Sequence, residues 1–158
     1  MTKPQIQSVM VDLDLRVAET EWAKSLPDLE TICQRALEAG AAQKAAKGEV
    51  AVLLTSNAEI QVLNRDWRGK DKPTDVLSFP ADPMDKPFLG DIAVAIGITQ
   101  DDAKTRNIAL DQHLSHLLIH GLLHLLGHDH KDDTEAAEME ALEIAALASL
   151  GWPDPYSS

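Results

Sequence analysis

The sequence predicts a single α+β domain, in which a mixed sheet of about four strands packs with about five helices. Three observations predict this fold class. The chain has 158 residues, 44% of them hydrophobic, which suits one domain with an adequate core. Short apolar segments are interspersed with amphipathic helical ones. No repeat or linker divides residues 1–158, and only residues 152–158 are expected to form a loose tail.

Four short apolar segments bounded by turn residues predict the strands, at residues 6–13, 49–55, 75–80 and 91–96. Ser25 and Ser56 each begin the spacing of a capping box, so a helix is expected after each serine. Pro73 is expected to break the second of these helices, and Thr99 to start a third.

Two further helices are predicted in the C-terminal half. The first runs from Ile108 to Leu126 and is the longest and most hydrophobic of the central elements. The last runs from about Asp133 to Leu150 and stops at Gly151. Its many acids are expected to form a solvated face. Its spacing predicts an inner face made of Ala137, Glu140, Ala141, Ile144, Leu147 and Ala148.

Composition excludes several classes of protein. The single cysteine, Cys33, rules out a disulfide scaffold, and no apolar run approaches the ~20 residues of a membrane helix. The N-terminus lacks the apolar stretch of a secretion signal, so we expect a cytoplasmic protein without membrane contact. The net charge of −12 argues against wholesale electrostatic capture of nucleic acid. Residues 65–72 nevertheless carry four bases against two acids, which allows a local anion site.

All six histidines fall between positions 113 and 130. On a helix, His113, His116, His120 and His124 share one narrow face. A histidine on an apolar helix is usually a hydrogen-bonded core residue, which is the expectation for His113 and His116. His128 is expected to face solvent or to support the site without ligating.

His120 and His124 lie one turn apart and can direct ring nitrogens at one metal ion. Along a straight helix His128 would lie about 12 Å from His120, too far to close a site. Gly127 permits a left-handed turn that ends the helix and brings His130 back. We therefore predict one Zn²⁺ at the end of this helix, with an open fourth position typical of catalytic zinc. Its ligands are predicted to be His120, His124 and His130.

The ligand spacing is also that of the metzincin proteases, H-E-x-x-H-x-x-G-x-x-H. In that pattern the glutamate acts as general base. Here the position is Gly121, which cannot accept a proton, so a zinc peptidase would need another base. An open metal site also suits a phosphodiester, because the metal can neutralise its charge.

Three separated stretches resemble one known family. The segment His120-Gly-Leu-Leu-His124-Leu-Leu-Gly127-His-Asp129-His130 is similar to the H-G-x-L-H-L-x-G-[YH]-D-H signature of the YbeY endoribonucleases, the bacterial rRNA maturation factors. The segment from Leu63 to Pro80 is similar to that family's L-N-x-x-[YW]-R and P-T-D-V-L-S-F-P blocks, and Leu89-Gly-Asp-Ile92 to its L-G-D-I block. The resemblance covers residues 48–152, and His128 stands where tyrosine is commoner.

The resemblance implies a zinc-dependent endoribonuclease specific for single-stranded RNA. It implies a role in maturation of the 3′ end of 16S rRNA and in ribosome quality control, with the small ribosomal subunit and its proteins as partners. Either water at the metal or an RNA hydroxyl would attack the phosphodiester. It also implies that Arg68 is catalytic, and a planar guanidinium suits a phosphate clamp. An exposed arginine at a helix end is the competing interpretation.

Other residues of these stretches keep two interpretations. Lys70 and Lys72 could hold the RNA backbone, but solvated lysines are the default. Asp75 and Ser78 could orient loops near the metal or form an ordinary strand edge. Trp67 could stack on a base, although a core-facing position is favoured. Two alternatives to the nuclease stay open: a zinc peptidase with another base, and a non-catalytic ribosome-assembly factor stabilised by its metal.

Overall fold

A four-stranded mixed sheet organises the chain. The structure, a computed structural model, describes residues 10–157. Strands β1 (Val11–Val17), β2 (Gly48–Thr55) and β4 (Phe88–Ala95) run parallel, and β3 (Val76–Pro80) pairs antiparallel with β4. The strand order β1-β2-β4-β3 places β3 at one edge. The predicted α+β class with a mixed sheet is confirmed.

Six α-helices surround this sheet in the described part of the chain, one more than the approximate number expected. They are α1 (Glu21–Ser25), α2 (Leu29–Ala42), α3 (Asn57–Arg68), α4 (Ile96–Thr105), α5 (Leu110–Leu125) and α6 (Asp133–Ser149).

The first strand differs from its predicted bounds of 6–13. Residues 6–9 lie outside the described residues, and β1 continues to Val17 because Leu13 and Leu15 extend the alternation of half-buried side chains.

The two faces of the sheet are covered unequally. On β4, Ile92 and Val94 belong to the main core with α2 and α5, whereas Ala93 packs with Ile60 of α3 in a smaller cluster. Because successive strand residues point to opposite faces, α5 and α3 lie on opposite sides of the sheet. The long helix α5 therefore sits centrally, between the sheet, α2 and α6.

The helix starts show where local sequence decides and where it does not. At Ser56 the capping prediction is confirmed, since its hydroxyl accepts a hydrogen bond from the Glu59 backbone. At Ser25 the prediction is wrong, because Ser25 ends α1 and the next helix begins at Leu29. Thr99 does not start α4 either. That helix begins three residues earlier, where Asn57 Oδ1 accepts a hydrogen bond from the Ile98 backbone N–H, 3.0 Å away.

The ends of the later elements also differ in part from expectation. Helix α3 stops at Gly69 in a left-handed conformation (φ +70°) rather than at Pro73. Helix α6 has the predicted bounds to within one residue, but the face that it buries differs from the predicted one. Of the predicted inner face, Ala137, Ala141 and Ala148 are exposed. The buried residues of α6 are Met139, Glu143, Ala146 and Leu147.

The C-terminal segment is held against the domain, which contradicts the expected loose tail. The Arg106 guanidinium donates a hydrogen bond to the Pro155 carbonyl over 2.9 Å. The Tyr156 hydroxyl donates another to the buried carboxylate of Glu143. The tail therefore closes over the end of the domain where α4, α5 and α6 meet.

Candidate metal centre

Helix α5 carries the two histidines that begin the site. It is buried along most of its length, with Leu114, Leu118 and Leu122 fully inaccessible. Close packing of these buried side chains fixes the position of the helix against the sheet, α2 and α6. His120 and His124, one turn apart near its C-terminal end, remain partly exposed at the rim of this core.

The turn after α5 returns the chain as predicted. Gly127 is left-handed (φ +98°), and its N–H donates to the His124 carbonyl over 3.0 Å. The His128 N–H donates to the Leu123 carbonyl over 2.9 Å, which completes a Schellman motif. Three residues after the glycine, His130 reaches the two histidines of α5.

The structure brings the three predicted ligands together. One ring nitrogen from each of His120, His124 and His130 lies within 4.8 Å of the other two. The ring centroids are 4.7, 5.9 and 5.4 Å apart in pairs. His130 is exposed, so the cluster opens to solvent on its side.

The spacing suits a tetrahedral cation. The Nε2 atoms of His120 and His124 are 3.2 Å apart. Two nitrogens bound to one zinc ion at ~2.0–2.1 Å with tetrahedral angles would be about 3.3–3.4 Å apart. Burial, followed by the neighbouring His120 and His130, lowers the pKa of His124, which favours the neutral imidazole that a metal requires. The donor set and its geometry therefore fit a divalent metal such as zinc.

Glu143 of α6 fixes the orientation of the first ligand. Its side chain is 1% exposed, and its Oε2 lies 3.0 Å from His120 Nδ1. A carboxylate can only accept, so the hydrogen of neutral His120 sits on Nδ1 and the lone pair on Nε2 faces the other histidines. Carboxylate partners of this kind orient metal-binding histidines and raise their basicity.

Two further donors hold the same carboxylate. His116 Nε2 and the Tyr156 hydroxyl each lie 2.5 Å from Glu143 Oε1. Burial raises the pKa of Glu143, but the hydrogen bonds from His116, His120 and Tyr156 outweigh it and lower the pKa to about 2. A charged carboxylate is therefore maintained inside the protein because three donors surround it.

The remaining histidines have different surroundings. His116 is a hydrogen-bonded core residue, as predicted. His113 is buried as predicted, at 3% exposure, but neither of its ring nitrogens has a hydrogen-bond partner within residues 10–157. His128 is half-buried and lies outside the group of three ring nitrogens, which agrees with a role other than ligation.

Gly121 shows why the metzincin base cannot stand in this position. A Cβ atom there would lie 3.0 Å from both Ile92 Cγ2 and Ser78 Oγ. The glycine lets α5 approach the sheet closely, and Ser78 donates a hydrogen bond to the Gly121 carbonyl over 3.3 Å. A glutamate would thus point into the sheet, away from the histidines.

The structure does not place Arg68 in the histidine cluster. It is the last residue of α3, it is exposed, and its side chain makes no hydrogen bond or ion pair with the other described residues. Lys70 and Lys72 are exposed in the following loop, which Asn64 anchors by donating to the Lys72 carbonyl over 2.9 Å. A catalytic role for Arg68 therefore stays a prediction.

Trp67 contradicts the expected core position. It is 73% exposed and makes an edge-to-face contact with Phe79, with ring centroids 6.3 Å apart.

Asp75 and Ser78 do more than form a strand edge. Ser78 ties β3 to α5 beside His120, and Asp75 borders a cavity that His120 also lines.

The sequence interpretation missed two site residues, Glu143 and Tyr156. Glu143 belongs to the acids of α6 that are expected to be solvated, and Tyr156 to the segment 152–158 that is expected to be loose. The apolar residues between Asp133 and Leu150 surround the helix too evenly to define its buried face. One available signal was the single tyrosine of the chain lying close to the acidic helix.

Within residues 10–157, no helix combines the length and hydropathy needed to cross a bilayer.

Comparison with known proteins places the chain in a family. The family model described as Endoribonuclease YbeY matches residues 16–151. A relative from Stutzerimonas stutzeri named Endoribonuclease YbeY is 45% identical, over 94% of this chain and 92% of that protein. Relatives of the same name from Rhodopseudomonas palustris and Bradyrhizobium diazoefficiens are 47% and 50% identical, over 98% and 86% of this chain and 94% and 80% of their own lengths.

A solved structure agrees with this placement. The solution structure of a Thermotoga maritima protein matches with a TM-score of 0.55 and 27% identity, covering 94% of this chain and 97% of that one. The family model extends over the histidine cluster and over strands β2, β3 and β4. The chain belongs to the YbeY family.

Proposed function

We propose that this protein is a metal-dependent endoribonuclease that cleaves single-stranded RNA. The observation that carries the proposal is the group of three ring nitrogens, from His120, His124 and His130, within 4.8 Å of one another. The names of the relatives supply the reaction class. A bound Zn²⁺ would act as a Lewis acid toward the phosphodiester and lower the pKa of a coordinated water.

The protein's own residues prepare this site in three ways. Glu143 keeps the hydrogen of His120 on Nδ1, so its Nε2 is available to the metal. The Gly127 turn presents His130 from the solvent side, which leaves the cluster open to a long substrate. Ser78 fastens the edge strand to α5, which keeps the surroundings of His120 rigid.

Arg68 is proposed to hold the substrate phosphate. It lies in the segment 65–72, the local concentration of bases in a protein of net charge −12. Its guanidinium is uncommitted among the described residues, so it is free to make the bidentate contact that phosphate favours. RNA affinity is then expected to fall as salt rises.

The proposed setting is maturation of the 3′ end of 16S rRNA and ribosome quality control in the cytoplasm. The small ribosomal subunit and its proteins are the proposed partners. This part of the proposal rests on the family resemblance alone, whereas the reaction class rests on the names of the relatives and the metal dependence on the histidine cluster. A zinc peptidase is disfavoured because position 121 lacks both a base and the room for one.

Matched variants test the reaction. His124→Ala and Arg68→Ala should each abolish or strongly reduce cleavage of a single-stranded 16S rRNA 3′-end precursor. His128→Ala and Arg65→Ala are the controls, since they remove a nearby histidine outside the cluster and another exposed arginine of the same turn. Cleavage by His124→Ala at the parental rate would refute the metal-dependent mechanism.

Two further measurements separate the alternatives. The product ends distinguish attack by water, which leaves a 5′-phosphate, from attack by the 2′-hydroxyl, which leaves a cyclic phosphate. Elemental analysis should find one zinc per chain, lost in His130→Ala. Zinc binding with no metal-dependent RNA cleavage by highly purified protein would favour the assembly-factor alternative.

A further inference from the structure

The cavity that Asp75 and His120 border lies beside the histidine cluster, between α4 and α5. This α4–α5 cavity has a volume of about 250 Å³. Its polar lining comes from Asp75, Asp102, Arg106, His113, His116 and Tyr156, and His120 borders it as well. One imidazole therefore adjoins both the proposed metal position and this cavity.

His113 indicates that the cavity has a function. It is 3% exposed, and both of its ring nitrogens lack a hydrogen-bond partner within residues 10–157. His116 Nδ1 is likewise without a partner in that part of the chain. Buried polar groups in native proteins are nearly always hydrogen-bonded, so exceptions that border a cavity point to a missing polar ligand.

The charged groups define what kind of ligand fits. Asp75, Asp102 and Arg106 all line this cavity. Because these two carboxylates outnumber the one guanidinium, the lining is expected to repel a phosphate. A metal ion is not favoured either, because among the described residues only the three site histidines cluster as ligands.

The size and the walls suit a single planar base. The volume lies below the ~300–1,000 Å³ of pockets for drug-sized ligands. Val76 and Leu117 add apolar surface to the polar lining. RNA-binding proteins stack unpaired bases on aromatic rings and bind the base edges with polar groups, and the rings of His113, His116 and Tyr156 line this cavity.

We propose that the α4–α5 cavity binds a guanine base of the RNA, next to the bond that is cut; this inference rests on the proposed function. Guanine has two adjacent donors, N1–H and N2–H, which suit the carboxylates of Asp75 and Asp102. It also has two acceptors, O6 and N7, which suit the Arg106 guanidinium and an imidazole N–H. Adenine, cytosine and uracil lack that adjacent pair of donors.

Binding to the full-length protein tests the cavity without reference to catalysis. Guanosine should shift the ring resonances of His113 in NMR titrations and bind about tenfold more tightly than adenosine. Inosine, which lacks the 2-amino group, should lie between them. Asp102→Asn should weaken guanosine binding about tenfold, whereas Asp101→Asn, at the exposed neighbouring position on α4, should not.

Cleavage mapping then connects the cavity to the reaction. On uridine-rich RNA with a single variable position, cuts should fall at a fixed distance from guanine and diminish when adenine replaces it. Equal binding of guanosine and adenosine, or equal effects of Asp101→Asn and Asp102→Asn in folded proteins, would overturn the inference. Guanosine binding without RNA cleavage would instead support the cavity and count against the proposed function.

Discussion

Replacing Glu143 by glutamine tests the link between α6 and the metal centre. Glutamine has nearly the same shape but is neutral, and one of its two terminal atoms becomes a donor. It cannot accept hydrogen bonds at both the His120 and the His116 sides, as the carboxylate does over 3.0 and 2.5 Å. The preference for the His120 tautomer that directs Nε2 at the other histidines is therefore weakened.

Glu143→Gln is expected mainly to weaken metal binding. Removing a carboxylate that orients a metal-binding histidine typically weakens binding by ~10–100-fold, which corresponds to about 1.4–2.7 kcal/mol. Zinc affinity of Glu143→Gln should be measured by competition with a chromophoric chelator. Circular dichroism and urea unfolding of the metal-free protein should accompany it, because a buried network is also disturbed.

Tyr156→Phe is the matched control for this experiment. It removes one of the donors to Glu143 Oε1 but leaves the Oε2 contact with His120 in place. It should lower the stability of the tail and change zinc affinity by less than about threefold. If Glu143→Gln binds zinc as tightly as the parent, or if Tyr156→Phe weakens binding as much, the orienting role of Glu143 is refuted.

Three other predictions concern stability and reactivity. Burial first, then Arg106 and His116, lowers the pKa of His113 to about 4. The unfolded chain therefore binds the extra proton below pH ~6.5, and stability present above that pH is lost as pH falls toward 4. Between pH 7 and 4.5 His113 should contribute about 2–3 kcal/mol to the loss of stability in urea unfolding, and the loss in His113→Leu should be smaller by that amount; an equal loss in that variant contradicts the assignment. Burial raises the pKa of Cys33 to about 12, so a thiol reagent at pH 8 should react only after unfolding, and rapid reaction of the native protein would show the site to be open. In Gly90→Ala a Cβ would lie 2.4 Å from the Phe79 carbonyl oxygen at φ +143°, so unfolding should become about 3 kcal/mol easier. In Gly69→Ala, where φ is +70° and no atom lies within 4 Å of the added Cβ, the free energy of unfolding should fall by only ~1–2 kcal/mol. Similar losses in both variants would show that the steric clash at Gly90 does not determine the effect.

The parts of the fold that follow from neighbouring residues could be predicted. The amphipathic segments, the Ser56 cap and the Gly127 turn all depend on groups a few positions apart, so sequence spacing is sufficient. The proximity of His120, His124 and His130 is also a feature that follows from neighbouring residues. A helix and one tight turn define it, and both were visible in the sequence.

Features that depend on distant parts of the chain could not be predicted. Helix α4 begins at Ile96 because Asn57 caps it from another helix, a contact with no local signal. Trp67 is exposed because α3 covers only part of its sheet face, which no spacing within α3 reveals. The position of Arg68 relative to the histidines likewise depends on which face of the sheet α3 occupies.

By itself the sequence determined the chemistry of the ligands, since three imidazoles at a helix end separated by a glycine turn can hold a metal wherever that helix lies. Only the tertiary structure decided that Glu143 is buried and charged. A carboxylate inside a protein is stable only where donors meet it, and here they come from α5 and from the C-terminal tail. Packing of α6 and the tail against α5 brings these three segments together, and their side chains then orient the site.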